Sequence, residues 1–133
     1  MLLHCDLVVA GSDAFLQFPF VDLGITTEGA GSLLLPILLG HARTMDLLLT
    51  GRRVSADEAL RLGLITRISP DPLPMALDLA RDIAAKSPEA VAATKRLARK
   101  GLSEAVVSRF AEEIEAINGL LTTRTDVTDR HHN

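Results

Sequence analysis

The sequence predicts an α/β chain, with a thin β start and a long helical tail. Three observations carry that reading. "DLVVAGSDAFLQF" (6–18) reads as two short β-strands around a turn, with Gly11, Ser12 and Asp13 as breakers. Helix punctuation then recurs down the chain, with Ser55 and Ser87 as starts and Gly40, Gly51, Gly63 and Gly101 as stops. The apolar residues are Leu, Ala, Val and Ile rather than aromatics, which make up only 3% of the chain with no Trp or Tyr, and this favours helices.

The elements follow in order. "GAGSLLLPILLG" (29–40) becomes helical, with Thr26 and Thr27 as candidate N-caps and Glu28 in the first turn. Pro36 is expected to break or restart this helix and Gly40 to end it. "HARTMDLLLTG" (41–51) is a second helix closed by Gly51. "SADE" (55–58) is a capping box, in which the Ser55 hydroxyl accepts the Glu58 amide, and that helix runs to Gly63. "LITRIS" (64–69) is extended, and "SPDPLP" (69–74) is a hinge.

Beyond the hinge all is helix. Met75, Leu79 and Ile83 form one stripe, and Ser87 and Pro88 are N-cap and N1 of the next helix. The last helix begins near Ser103. Its Val107, Phe110, Ile114, Ile117 and Leu121 follow the spacing of a helix seam, packed either inside the chain or between subunits. Two short strands make no stable sheet alone, so their partners are expected outside this sequence.

Composition excludes several classes. A net charge of −3 and a pI near 5.7 lack the basic footprint of a nucleic-acid binder. The cations of "KRLARK" (95–100) read as a solvated helix face or, more sharply, as a site for phosphate-like groups. The single Cys5 forms no internal disulfide, and His4 and Cys5 lack metal-site spacing, so no metal is expected. The start "MLLHCDLVVA" has no basic n-region, and no stretch is long enough to span a membrane; a cytoplasmic location is expected. With 47% hydrophobic residues, the chain carries more apolar surface than a small domain hides, so a partner chain or a further segment is expected to cover the excess.

"CDLVVAGSDAFLQFPFVDLGITTEGAGS" and then "LLLTGRRVSADEALRLGLITRI" resemble the crotonase superfamily of enoyl-CoA hydratases and isomerases, from about residue 3 through "SPEAVAATKRLAR". The resemblance implies a partial crotonase-like ββα spiral (1–70) and a helical oligomerisation region (71–121); it fades after about Glu115, and the polar stretch 122–133 is expected to be a disordered tail. It implies an acyl-CoA thioester as substrate, coenzyme A entering as part of that substrate and no separate cofactor. It also implies assembly as a trimer or hexamer, or pairing with a full-length crotonase-like chain.

Hydratases of this family use two glutamates. The first is expected upstream of "HCD"; the second follows a proline, and here Phe20 stands at that position after Pro19. A phenyl ring moves no proton. Four residues after Gly24, where hydratases have a glycine, this chain has Glu28, a placement that resembles the Δ3,Δ2-enoyl-CoA isomerases. One carboxylate suffices for that reaction, removing a proton from C2 and returning it to C4. Glu28 is therefore the expected catalytic base, with Phe20, Gly29 and Leu33 against the substrate and Lys95 and Lys100 as candidate contacts to coenzyme A phosphates. The amides of the family's oxyanion hole are expected upstream of Met1. Two alternatives stay open: a non-catalytic binding or oligomerisation module, and a hydratase.

Overall fold

The computed structural model describes residues 2–130. After a 3-10 turn at Leu2–His4, the strands are β1 (Val9–Gly11), β2 (Phe15–Leu16), β3 (Val54–Ser55) and β4 (Arg67–Ser69). The helices are α1 (Gly31–Leu39), α2 (His41–Thr50), α3 (Ala56–Leu62), α4 (Pro72–Ala84), α5 (Pro88–Ala98) and α6 (Leu102–Arg130). Two compact units result, each built from two separate stretches of chain: 1–16 with 54–105, and 17–53 with 106–133.

In the first unit the two early strands do not pair with each other. The turn at Gly11–Ala14, closed by the Ala14 N–H on the Gly11 carbonyl at 3.1 Å, redirects the chain between them. β1 runs parallel to β4, with Val9, Ala10 and Gly11 opposite Arg67, Ile68 and Ser69. β2 runs antiparallel to β3, with Phe15 opposite Ser55 and Leu16 opposite Val54. Partners for both strands thus lie within the chain, contrary to the expectation that they would be found outside it. Thr66 extends the β1–β4 ladder by one step. Its hydroxyl donates to the Val8 carbonyl at 2.7 Å and accepts the Val8 N–H at 3.0 Å.

Two-residue strands hold little by themselves, and the helices packed on them supply the burial. α3 lies against β2, β3 and β4, and α4 against β1 and β4. Val54, Ala56, Ala59, Leu64 and Ile65 are buried there. α3 begins as its sequence demands: the Ser55 hydroxyl accepts the Glu58 N–H at 3.3 Å, and Gly63 ends the helix at φ 79°. α4 absorbs the second half of the expected hinge (72–74), because prolines are tolerated in a helix's first turn. Ser87 caps α5 through the Ala90 N–H at 3.2 Å. α5 is tied to the chain start by Asp6, whose carboxylate meets Lys95 Nζ and Arg99 Nη2, each at 2.6 Å.

In the second unit α1 packs against α2, with Leu34, Leu35, Leu39, Leu47 and Leu48 buried. Pro36 neither breaks nor restarts α1, which is helical from Gly31 to Leu39. The ring costs the helix one N–H, the one that would bond the Ser32 carbonyl; burial of leucines on either side of it outweighs that loss. Gly40 ends α1 as expected, its N–H on the Pro36 carbonyl at 2.9 Å. Gly51 ends α2 at φ 58°, and the Asp22 carboxylate fills the space where a side chain would project.

Of the seam read from the apolar spacing of α6, only Ile117 turns inward. Val106, Arg109 and Ile117 are half-buried and Glu113 is buried. Val107 (72% exposed), Phe110, Ile114 and Leu121 of the expected seam stay exposed. The stretch expected as a tail (122–133) begins inside α6, where the Thr122 and Thr123 hydroxyls donate to the carbonyls of Asn118 and Gly119 at 2.8 and 2.9 Å. Residues 131–133 lie outside the described residues. Among the described residues, no helix is long and apolar enough to cross a membrane.

Two outcomes follow from this packing. The hydrogen bond from Lys95 comes first; with the charges of Arg99 and Lys95 and the hydrogen bond from Arg99 it outweighs the opposing effect of burial and holds the Asp6 carboxyl below its ordinary value of 3.8. A depressed folded-state value stabilises the fold above the unfolded value and is lost as pH falls through it. Since the pair is half-exposed, Asp6→Asn costs less than about 1 kcal/mol at neutral pH. In urea titrations that difference vanishes as the pH is taken below 3.8. Gly31→Ala drives a methyl into the Thr27 hydroxyl, which is buried, and destabilises by ~1–3 kcal/mol. Adding Thr27→Ala recovers most of that loss in thermal melts.

Candidate active site

The start of α1 gathers three of the six residues expected to act: Glu28, Gly29 and Leu33. A helix opens with N–H groups that have no partner inside it, and here each of the first ones is accounted for. The helix begins at Gly31, one residue after an N-cap at Ala30, and no local side chain caps it. Thr26 and Thr27 therefore do not serve as its caps. Glu28 lies before the helix rather than in its first turn.

The capping group comes instead from α6. Glu113, only 4% exposed, accepts the Ala30 N–H on Oε2 at 2.7 Å. Its Oε1 accepts the Ser32 N–H at 2.8 Å and the Ser32 hydroxyl at 2.7 Å. The Gly31 N–H donates to the Glu28 carbonyl at 3.2 Å, and the Leu33 N–H to the Ala30 carbonyl at 3.1 Å. Arg109, one turn before Glu113, places Nη1 3.4 Å from the Ser32 hydroxyl. Its Nε sits 3.1 Å from Glu112 Oε2, an ion pair without the alignment of a hydrogen bond.

The backbone leading into this cap is unusual. Gly29 has φ 69° and Ala30 φ 56°, so two successive residues are left-handed. Glycine adopts that conformation freely, whereas an alanine there costs roughly 1–2 kcal/mol. Hydrogen bonds to a charged group contribute about 1.5–3 kcal/mol each, enough for the Glu113–Ala30 bond to offset the cost.

The consequence for Glu28 is direct. It is exposed, its backbone carbonyl closes the turn into α1, and its carboxylate is not the group that caps the helix. Phe20, half-buried, lies in a tight turn where its carbonyl accepts the N–H groups of Leu23 and Ile25 at 3.1 and 3.0 Å. Leu33 and Gly29 are half-buried at the start of α1. Phe20, Glu28, Gly29 and Leu33 all belong to the second unit, and Lys95 and Lys100 to the first. Lys95 is engaged by Asp6, and Lys100 is exposed on the turn after α5. Among the described residues no group of three or more His, Cys, Asp or Glu side chains is placed to hold a metal ion.

Sequence reasoning missed Glu113, Ser32 and Arg109. Their signal was present in part. Val106, Arg109, Glu113 and Ile117 recur at helical spacing, but a search for apolar periodicity passes over a face whose centre is charged.

The sequence model of the enoyl-CoA hydratase/isomerase family matches residues 1–128. YngF of Bacillus subtilis, named for that family, is 34% identical over 126 residues, which are 93% of this chain and 48% of that protein. Carnitinyl-CoA dehydratase of Salmonella arizonae is 39% identical over 101 residues, 74% of this chain and 39% of the enzyme. The structure of an enoyl-CoA hydratase/isomerase from Pseudoalteromonas atlantica superposes with a TM-score of 0.87 at 38% identity, over 90% of this chain and 49% of the other. That of Pseudomonas aeruginosa OdaA does so with a TM-score of 0.86 at 40% identity, over 90% and 50%. The chain thus spans about half the length of the relatives it matches or less, and its α/β architecture is a partial crotonase-like fold. Matched over residues 1–128, the chain belongs to the enoyl-CoA hydratase/isomerase family.

Proposed function

We propose that the chain acts on acyl-CoA thioesters as a double-bond isomerase, with Glu28 as the single base that carries a proton between C2 and C4. The observation that carries this reading is the division of labour at α1: Glu113 takes the helix amides, so the exposed Glu28 carboxylate is left for other work. Phe20 supports it too, since the residue after Pro19 offers no second carboxylate to activate a water. In the mechanism Glu28 removes a C2 proton as the thioester carbonyl takes up negative charge. It then returns the proton to C4 as the double bond settles between C2 and C3. The half-buried Phe20 and Leu33 suit the apolar acyl chain. Coenzyme A enters only as part of the substrate, with Lys95 and Lys100 of a neighbouring subunit as candidate contacts to its phosphates; in the chain itself Lys95 is already paired with Asp6.

The test is the conversion of 3-enoyl-CoA to 2-enoyl-CoA by the purified chain and by Glu28→Gln, with 2-enoyl-CoA hydration read in the same samples. Loss of the general base is expected to cut isomerisation by about 10²–10⁴-fold while acyl-CoA binding persists. Hydration faster than isomerisation would favour a hydratase. Acyl-CoA binding without turnover in a folded wild type would favour a binding module.

The same reading includes self-association. Val107, Phe110, Ile114 and Leu121 form an exposed apolar stripe along α6, of the kind that marks an interaction surface. A second copy of the chain, in a trimer or hexamer, is the proposed occupant, and a full-length family member is the alternative. Light scattering after size exclusion is expected to give a multiple of the 14.3 kDa chain mass for the wild type. The double variant Val107→Glu with Phe110→Glu is expected to run as a monomer with its helix content intact.

A further inference from the structure

We infer that Glu113 is the positioning residue for Glu28: it fixes the backbone from which the base projects, without touching the base itself. The inference rests on the reading of Glu28 as the base. Its observations are geometric. Glu113 lies 83 residues from Ala30 and 81 from Ser32 in sequence, yet both its carboxylate oxygens are spent on those two residues. It is buried, so its bonds face little competition from water.

Ala30 is the only non-glycine residue at positive φ among the described residues, and it is fully buried. Its left-handed turn, following that of Gly29, sets the direction in which the chain leaves α1 toward Glu28. Glycine reaches positive φ without steric cost, whereas Ala30 rests there only if it is held, and Glu113 Oε2 accepts its N–H at 2.7 Å. The turn is then closed by the Gly31 N–H on the Glu28 carbonyl. Ser32 and Arg109 complete the support, the arginine reaching the same hydroxyl that donates to Glu113. A base that serves two carbons tolerates little misplacement, and an exposed one has no packing of its own to prevent it.

Glu113→Gln keeps the shape but sets an NH2 group against one of the two N–H donors. Ala30→Gly removes the cost of the left-handed turn. The two variants and their combination, made in the full chain, separate positioning from plain stability. In Glu113→Gln, the Glu28 and Gly29 amides are expected to leave the rigid range of 15N order parameters, about 0.85, while the later turns of α1 stay within it. Isomerisation kcat is expected to fall roughly ten- to a hundredfold, the scale of misplacing a catalytic group, with KM held within about twofold. Adding Ala30→Gly is expected to raise the melting temperature again while leaving the disorder at Glu28 and the low kcat in place.

The inference is overturned if Glu28 and Gly29 stay as ordered in Glu113→Gln as in the wild type, or if kcat returns together with the melting temperature in the combined variant. Should Glu113→Gln not fold, Ser32→Ala removes one of the three bonds to Glu113 and the contact with Arg109. A smaller loss of order at Glu28 is then expected, and no change at all overturns the inference. A wild type without turnover points to a binding module or to a need for the oxyanion amides expected upstream, and the order parameters still decide whether Glu113 positions Glu28.

Discussion

The unpartnered amides at the start of α1 are the constraint on which the second unit depends. A helix that opens on glycine and alanine has no local Ser, Thr, Asp or Asn at its N-cap to satisfy them. Here a carboxylate from α6 does so, bonding Ala30 and Ser32 with both oxygens. A local cap would have fixed only the helix end. A cap from more than 80 residues away also fixes where α6 lies within that unit and turns its charged face, rather than its apolar one, inward. The exposed stripe of Val107, Phe110, Ile114 and Leu121 is the other side of the same choice.

Local chemistry explains which parts of the fold were legible in the sequence. Ser55 with Glu58, and Ser87 with Ala90, cap as their spacing requires, and Gly40, Gly51 and Gly63 end helices where they stand. Each such signal lies within a few residues of its effect. What stayed hidden was long-range. The pairing of β1 with β4 spans some 58 residues, and its choice over a β1–β2 hairpin is made by α3 and α4 packing on the strands. Pro36 misleads for a similar reason, since its local effect is outweighed by leucines buried against α2.

The candidate site divides along the same line. Glu28 could be singled out from the sequence because it stands in a loop that resembles one branch of the family. Glu113 could not, because a glutamate in "RFAEEIEAI" reads as one more charge on a solvated helix. Only burial at 4% and three short bonds distinguish it from Glu112 beside it, whose carboxylate lies at the surface. Lys95 shows the converse. Its charge was legible, its ion pair with Asp6 at 2.6 Å was not.

On the proposed reading, two glutamates near one helix start carry two incompatible tasks. A carboxylate that accepts two backbone N–H groups and a hydroxyl has three of its roughly four lone-pair sites committed, and swinging away would break the bonds that hold the turn. A carboxylate that shuttles a proton needs the opposite: free oxygens and room to swing. One residue at this helix start could not do both, since capping would immobilise the base and freeing the base would leave Ala30 unsupported in its left-handed turn. The fold resolves the conflict by distance, drawing the fixed acid from α6 and leaving the free one in the loop. On this view the α1 cap is a condition for Glu28 to act, and α6 belongs to the site as much as the glycine-rich loop does.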